Sequence, residues 1–226
     1  MTQTIYSEYP KLKNLHKRDP ADNKVIDEFT DEIFSPEQLG NAGWTWREKM
    51  DGTNLRIIWD GHRAEYRGRT DRAQFSDGQT MFLDEKIKSP AFEELLEQTF
   101  GNTEAVLFGE LIGNKLQGNP HKVDGYEIRV YDAFVAGWWL LPASVDELAS
   151  DLGLGSAEII GVAPIGHMHQ GMRHIASMTE AFEGEAEPLE YLEGIVGTAP
   201  GGVLHRSGAI LRVKLKLENY KSGVRK

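Results

Sequence analysis

Apolar residues recur in short blocks along the chain, and their spacing predicts both strands and helices. The blocks at residues 55–59 and 62–68 flank an Asp-Gly pair, a pattern typical of a β-hairpin. A Ser-Pro start and apolar positions at helical spacing predict a helix over 91–100, and Ser144 to Glu147 has the sequence of a capping box. The same patterns predict strands at 44–48, 105–112, 126–140, 192–197 and 209–217, and a helix at 173–184.

Charged residues interrupt these blocks at a few positions. Glu110 and Glu193 lie within apolar strands, and Lys214 and Lys216 are two residues apart, on one face of a strand. Lys49 ends an aromatic run, next to a turn that contains glycine. A buried charge is costly unless it is paired or bound to a metal, so together these residues indicate one pocket for a charged ligand. Taken singly, each is more typical of a strand edge or a solvated surface.

The bulk composition sets limits on the kind of protein. A length of 226 residues suits one large α/β or α+β domain, or a domain with a small appendage. Residues 1–43 are polar and broken by prolines, which predicts a lead-in segment ahead of a single domain at 44–226. The chain has no cysteine, no apolar run of membrane-spanning length and no secretory signal, so we expect a cytoplasmic protein that does not enter a membrane.

Charge is distributed unevenly along the chain. The formal net charge is −10, which argues against a polyanionic partner, but residues 142–193 carry ten acidic residues and one basic. Residues 205–226 carry seven basic residues and one acidic, and Lys11 to Arg18 form a second basic cluster. This polarity is compatible with a basic face that meets phosphates and equally with an uneven solvated surface.

Three histidines lie close together in the sequence, at His167, His169 and His174. Such spacing is compatible with a metal site. Because no other ligand type is near and the stretch is predicted to be a loop, the sequence favours no metal there.

In their order along the chain, the motifs resemble those of the covalent nucleotidyltransferase superfamily, which comprises DNA ligases, RNA ligases and mRNA capping enzymes. The resemblance spans Lys49 to Lys216 and is carried by Lys49-Met50-Asp51-Gly52-Thr53-Asn54, Arg69-Thr70, Phe108-Gly109-Glu110, Tyr131-Asp132, Glu193-Gly194-Ile195-Val196 and Lys214-Leu215-Lys216. It implies an α+β fold, a ligase-type nucleotidyltransferase (adenylation) domain with antiparallel sheets and flanking helices around an ATP cleft.

Within the superfamily, Gly52-Thr53-Asn54 resembles the RNA ligases that seal nicks in duplex RNA, including phage and kinetoplastid editing enzymes. DNA ligases and capping enzymes more often carry arginine at the position of Asn54, whereas several of the RNA ligases have histidine at the position of Asp51. The resemblance therefore implies an RNA ligase that joins 3′-hydroxyl and 5′-phosphate ends. A minimal ATP-dependent DNA ligase and a non-catalytic nucleic-acid binding module remain the alternatives.

The resemblance also implies the donor and the partners. The 48 residues before Lys49 do not resemble the dedicated domain of NAD-dependent ligases, so ATP is the expected donor. We expect no C-terminal OB-fold after Lys216, and we expect a monomer that acts on a nicked duplex.

Site roles follow from the family pattern. Lys49 is expected to attack the α-phosphorus of ATP and to carry AMP, while Lys214 and Lys216 offset charge on the α-phosphate. Glu110 and Glu193 are expected to hold Mg²⁺ or Mn²⁺, since these ions take oxygen ligands.

The remaining positions are implied to bind the nucleotide. Tyr131 would stack on adenine, with a core aromatic as the alternative, and Glu48 would contact the nucleoside. Asn54 would contact the phosphate or the leaving group, beside Asp51 and Gly52 of the same motif. Arg69 would touch ribose or the nucleic-acid end.

Overall fold

The structure is a computed structural model that describes residues 4–181, 193–205 and 208–221. The strands in chain order are β1 (Lys13–Asn14), β2 (His16–Arg18), β3 (Val25–Phe29), β4 (Trp44–Glu48), β5 (Thr53–Trp59), β6 (Ala64–Arg67), β7 (Ala105–Gly113), β8 (Tyr126–Val135), β9 (Trp138–Trp139), β10 (Gly155–Ser156), β11 (Ile159–Ala163), β12 (Gly194–Thr198) and β13 (Arg212–Lys216). The helices are α1 (Asp77–Ile87), α2 (Pro90–Phe100), α3 (Pro142–Asp151), α4 (Ile165–Ala181) and the short α5 (Glu218–Lys221).

The chain divides into two compact units, each assembled from separate segments. The first unit comprises Met1–Pro10, Asp51–Ala157 and Leu204–Ala209. The second comprises Lys11–Met50, Glu158–Val203 and Ile210–Lys226. The chain passes from the second unit to the first after Met50, within the lysine motif.

The first unit is built on a sheet with the strand order β10-β8-β7-β5-β6, and β9 also pairs with β8. Its central strands are buried on both faces, as successive residues Ile57 and Ile58 show. Ile57 packs in a cluster with Leu83 of α1 and Leu96 of α2, and Ile58 packs with Phe108 on the opposite side. Strands covered on both faces have continuous apolar runs, which is why β5 and β7 were recognisable as strands.

The second unit is built on a sheet with the strand order β1-β13-β12-β4-β11. Trp44 and Trp46 alternate along β4 and are both fully buried in one cluster with Leu215 of β13. Ile165 and Met172 of α4 pack in the same cluster. Alternating burial of this kind gives a sheet one apolar face, which α4 covers here.

Residues 11–43 contribute to the second unit, although their polar composition predicted only a lead-in segment. They form β1, which pairs in parallel with β13, and the two-stranded ribbon of β2 and β3. Leu15 and Phe34 from this region are almost fully buried in the core of the unit. The division into a lead-in at 1–43 and one domain at 44–226 stays a prediction.

The predicted hairpin, the α2 helix with Ser89 as its N-cap, and the strands in 105–112 and 126–140 are confirmed. The predicted capping box at Ser144 is wrong. Helix α3 begins at Pro142, and its N-cap residue, Leu141, makes no side-chain capping hydrogen bond. Proline is favoured in the first turn, where its missing N–H costs nothing, and this places Ser144 inside the helix.

Two further helices differ from expectation. Helix α4 begins at Ile165, eight residues before the predicted start, so His167 and His169 are helical and the predicted loop is wrong. Residues 182–184 of the predicted helix lie outside the described residues. Helix α1 was not predicted, because its apolar residues do not form a clear stripe. Its start was nonetheless encoded, since Ser76 and Gln79 form a capping box.

Among the described residues, no helix combines the length and the apolar character needed to cross a bilayer.

Candidate functional site

Lys49, Glu193 and Lys216 form one ionic group in the second unit. The Lys49 ammonium donates to Oε2 of Glu193, and the Lys216 ammonium lies 2.7 Å from Oε1 of the same carboxylate. All three side chains retain some solvent exposure, at 24%, 18% and 29% respectively. The group therefore has two cations around one anion, and it remains accessible to an anionic ligand.

Strand pairing explains why these three residues meet. Strand β12 lies between β4 and β13, with Ile195 opposite Glu48 and Gly194 opposite Lys216. The Lys49 N–H donates to the Gly194 carbonyl at 2.9 Å, so Lys49 continues the β4 edge by one residue. The ends of three neighbouring strands thus deliver an amine, a carboxylate and a second amine to one place.

Gly194 is required by the close approach of β12 and β13. A Cβ at this position would lie 2.1 Å from the Leu215 carbonyl oxygen and 2.8 Å from Cα of Lys216. Any side chain would push the two strands apart beside Glu193. The glycine that follows the predicted carboxylate is therefore part of how the group is positioned.

Lys214 and Lys216 share one face of β13, as their spacing predicted. Both are half-buried, and the residues on either side of them, Val213, Leu215 and Leu217, are buried. Lys214 lies opposite Val196 in the register of β12 and β13. The strand therefore presents a lysine pair on one face and an apolar surface on the other.

The electrostatics of Glu193 favour its ionised form. Burial alone would raise the pKa of this carboxyl, but the hydrogen bonds from Lys216 and Lys49 outweigh burial and hold the pKa below its ordinary value. The folded state therefore binds fewer protons at this residue than the unfolded chain does at moderately acidic pH.

We expect Glu193→Gln to destabilise the protein near neutral pH by about 2 kcal/mol, because two ammonium groups lose a charged acceptor. The stabilisation from a carboxyl with a lowered pKa is complete above its unfolded pKa of about 4.3 and is lost as the pH falls through the folded pKa. The difference in Tm between wild type and variant should thus shrink below about pH 4, as followed by circular dichroism.

The matched control is Glu28→Gln, which removes a carboxylate paired with Lys17 at 3.1 Å on the surface of the same unit. Both of these side chains are more than half exposed, so the control should change Tm little at any pH. If Tm fell by the same amount in both variants at every pH, this result would contradict the assigned role of the Glu193 charge.

Asn54 and Glu110 form a second group, in the first unit. They are direct cross-strand partners in β5 and β7, and Nδ2 of Asn54 donates to Oε2 of Glu110 at 2.8 Å. Glu110 is only 7% exposed, in a strand whose nine residues are all buried. The interpretation of Glu110 as a buried carboxylate is confirmed, and its solvent-facing alternative is wrong.

Gly52 allows the part of the lysine motif that lies in the first unit, residues 51–54, to pass directly against β7. A Cβ there would be 2.3 Å from the Leu111 carbonyl oxygen and 3.0 Å from Cγ of Glu110. The sequence suggested a turn as the reason for this glycine. The structure instead shows that the backbone must pass close to the strand that carries Glu110.

His121 also contacts the lysine motif, and the sequence did not indicate this residue. Its Nε2 accepts a hydrogen bond from the backbone N–H of Asp51 at 3.1 Å. His121 lies in the connection between β7 and β8, where Asn119 and Lys122 have left-handed backbone conformations. No local pattern marks this histidine, because its partner is 70 residues away in the sequence.

The arginine motif lies on a bend after β6, with Arg69 exposed. Arg56, fully buried in β5, fixes this bend by donating to the Gly68 carbonyl at 2.9 Å and to Asp71 at 2.8 Å. The hydrogen bonds from Arg56 and Arg67 hold the pKa of Asp71 below its ordinary value. Sequence reasoning missed Arg56, although it interrupts an apolar strand as Glu110 does.

The side chains of Tyr131 and Glu48 are both only partly exposed to solvent. Tyr131 is half-buried in β8 at an irregularity of the β7–β8 pairing, and its ring centroid lies 5.2 Å from that of Tyr9. Glu48 is half-buried at the end of β4, where its N–H donates to the Glu158 carbonyl at 3.0 Å. The roles of both residues toward a nucleotide stay predictions.

The C-terminal basic residues are only partly described. Arg212 is buried, and its Nε donates to Oγ1 of Thr198 at 3.0 Å, so it serves the fold. Arg206, Arg225 and Lys226 lie outside the described residues. In the N-terminal basic cluster, Lys13 pairs with Asp31 at 2.6 Å and Lys17 with Glu28, which offsets much of that positive charge.

Comparison with known proteins gives a consistent result. A family model described as RNA ligase matches residues 43–216, and no curated protein matches the chain. Three similar solved structures are of Naegleria gruberi RNA ligase: a mutant without ligand, a mutant with ATP and Mn, and the enzyme with PPi.

The similarity to these structures is one of fold. Sequence identities are 18%, 17% and 17%, and TM-scores are 0.60, 0.60 and 0.59. The matches cover 98% of this chain and 63%, 63% and 62% of the Naegleria chains, so this chain spans less than two thirds of their length. The α+β fold of the ligase-type nucleotidyltransferases, which the motif resemblance implied, is confirmed.

Proposed function

The chain belongs to the RNA ligase family, and on that premise we propose that it is an ATP-dependent RNA ligase. It would join 3′-hydroxyl and 5′-phosphate ends through an AMP that is carried on Lys49. The observation that carries this proposal is the ionic group of Lys49, Glu193 and Lys216 at three neighbouring strand ends. An amine nucleophile held beside a second cation is the arrangement that attack on a phosphate requires.

In the first step, Nζ of Lys49 forms a bond to the α-phosphorus of ATP while the bond to pyrophosphate breaks. Before the attack, the Lys49 ammonium must release a proton, and its 24% exposed side chain allows the proton to pass to solvent water. Glu193 already holds Nζ through Oε2, but its lowered pKa makes it a weak proton acceptor, so we assign it the orientation of the amine. Lys216 and Lys214 offset the charge that develops on the α-phosphate.

Each of the two groups contains a carboxylate, and carboxylate oxygens are ligands that Mg²⁺ and Mn²⁺ take. We assign Glu110 and Glu193 to the binding of a divalent cation, which would offset charge on the phosphates of ATP. The comparison structure with ATP also contains Mn, which supports a divalent cation as a cofactor.

The remaining residues are proposed nucleotide contacts. Tyr131 would stack on adenine, Glu48 would bind the nucleoside, and Arg69 would touch ribose or the nucleic-acid end. Asn54 would contact the phosphate or the leaving group. The backbone at Asp51 and Gly52 would lie close to ATP. The Asp51 N–H bonded to His121 supports a fixed conformation for this motif.

We propose that the substrate is RNA and not DNA, and that it is a nicked duplex. We also propose that the enzyme acts as a monomer. The support is Gly52-Thr53-Asn54, which resembles nick-sealing RNA ligases, together with the RNA ligase family match. The absence of cysteine from 226 residues supports a reducing, cytoplasmic setting.

Nicked duplexes with RNA or DNA on each side of the nick test the substrate. We expect sealing that requires RNA on the 3′-hydroxyl side, measured by denaturing electrophoresis with ATP and Mg²⁺ or Mn²⁺. Equal sealing of an all-DNA nick would favour the minimal DNA ligase. Binding of the duplexes without sealing, and without labelling by α-labelled ATP, would favour a non-catalytic binding module.

A further inference from the structure

A second ionisable cluster lies in the second unit, apart from the residues of the lysine group. His16 of β2, Asp27 of β3 and His169 of α4 each offer one ligand atom, and these atoms lie within 4.8 Å of one another. The cluster joins the β2–β3 ribbon to α4. It combines two imidazoles with one carboxylate, which is a ligand set for transition metals.

His16 is the unusual member of the cluster. Its side chain is only 3% exposed, and among the described residues neither ring nitrogen has a partner at good hydrogen-bond geometry, although the Glu28 backbone lies close by. The nearest acid, Oδ1 of Asp27, is 3.8 Å from Nδ1, which is too far for a hydrogen bond. Buried polar atoms almost always have a hydrogen-bond partner, so we expect the His16 side chain to bind a further group.

The two imidazole rings lie next to each other, with their centroids 4.4 Å apart and their planes inclined by 39°. His16 comes from β2 and His169 from α4, so an ion bound to both would be held by two separate elements of the unit. Histidine binds metals through a ring nitrogen of the neutral imidazole.

Arg173 is the cation that occupies this place in the described structure. Its Nε donates to Nε2 of His169 at 3.1 Å, and its Nη2 donates to Oδ1 of Asp27 at 2.9 Å. The side chain is 37% exposed, so the guanidinium is able to turn toward solvent without crossing the core. It satisfies His169 and Asp27 while leaving His16 without a hydrogen bond.

We propose that His16, Asp27 and His169 bind a divalent transition-metal cation of the zinc type, in competition with the guanidinium of Arg173. Zinc accepts three protein ligands and a water, with bonds of about 2.0–2.1 Å, which places ligand atoms about 3.4 Å apart. The ligand atoms of the three side chains are now up to 4.8 Å apart. Asp27 and His169 are both partly exposed, so a movement of their side chains would bring these atoms to the distance that zinc requires. The ion would tie the β2–β3 ribbon to α4. Magnesium, which prefers oxygen ligands, would not compete for it.

Zinc titration of the full chain without a polyhistidine tag tests the site, by competition with a chromophoric chelator. We expect one zinc per chain, and His169→Ala should weaken binding by roughly a hundredfold or more, since even outer partners of metal ligands are worth about 10–100-fold. His167→Ala is the matched control, because His167 is exposed on the same helix two residues away, and it should bind as wild type.

Two further variants separate loss of a ligand from loss of the fold. Asp27→Asn, at an exposed strand position, should also weaken zinc binding, whereas Arg173→Met should tighten it at least about tenfold by removing the competing cation. Cobalt substitution should give a visible absorption band of tetrahedral type that His169→Ala abolishes. Equal zinc affinity in wild type, His169→Ala and Asp27→Asn would overturn the proposal. A failure of both wild type and Arg173→Met to bind zinc would overturn it as well.

Discussion

We expect Lys49→Ala to abolish the transfer of label from α-labelled ATP to the protein, with a loss of at least roughly a thousandfold. Lys49 is the proposed nucleophile, and removal of a covalent nucleophile costs about 10⁴–10⁶ in rate. The reason is the position of Nζ, which Glu193 holds beside Lys216 at the ends of β4, β12 and β13. The measurement is denaturing electrophoresis after incubation with ATP and Mn²⁺, which shows only covalently bound label.

The matched control is Lys17→Ala, which also removes a lysine paired with a glutamate in the second unit. Lys17 lies on the surface, and its variant should label as wild type does. A nick whose 5′ end already carries AMP gives a second control, because sealing it requires no new adenylate on the protein. Lys49→Ala should therefore still seal this nick. Labelling of Lys49→Ala at the wild-type level would contradict the assignment of the nucleophile.

Gly194→Ala should strongly destabilise the protein at the ionic group of Lys49, Glu193 and Lys216. The added Cβ would lie 2.1 Å from the Leu215 carbonyl oxygen, and backbone atoms cannot turn aside as a flexible side chain does. Overpacking of this kind costs about 3 kcal/mol, which for a chain of this size corresponds to a fall in Tm of roughly 6–12 °C. Labelling by ATP should fall too, because Lys216 and Glu193 move apart with their strands.

Gly161→Ala in β11 is the control within the same sheet. Apart from its chain neighbours, no heavy atom of the described residues lies within 4 Å of the Cβ that it would add, so Tm should stay within about 2 °C of wild type. Thermal unfolding monitored by circular dichroism compares the two variants directly. A Tm for Gly194→Ala close to that of Gly161→Ala would show that the approach of β12 and β13 is not as tight as described.

Local pattern was a good guide to strands and a poor guide to helix starts. The apolar runs of β5 and β7 were recognisable because both faces of each strand are buried. Of two capping-box sequences, the one at Ser144 is not used, and the one at Ser76 caps α1. A capping box contributes only about 1 kcal/mol, so packing and a nearby proline decide whether it begins a helix.

Charged residues within apolar runs indicated part of the candidate site. Glu110 and Glu193 were identified in this way, and the same rule applied to Arg56 would have found the residue that fixes the arginine bend. His121 and the cluster of His16, Asp27 and His169 carry no such signal. Their contacts join segments up to about 150 residues apart, which spacing along the chain does not reveal.

The sequence by itself determined the order and type of the chemical groups: a lysine before Gly52, two carboxylates in apolar runs, and a lysine pair at one strand spacing. These follow from residue identity and from the two-residue period of a strand, both of which are local. Only the tertiary structure decided which carboxylate pairs with Lys49. Glu193 lies beside Lys49 because β12 pairs between β4 and β13, whereas Glu110 pairs with Asn54 across β5 and β7. Strand order depends on which apolar faces pack together, and that is settled by the whole chain at once.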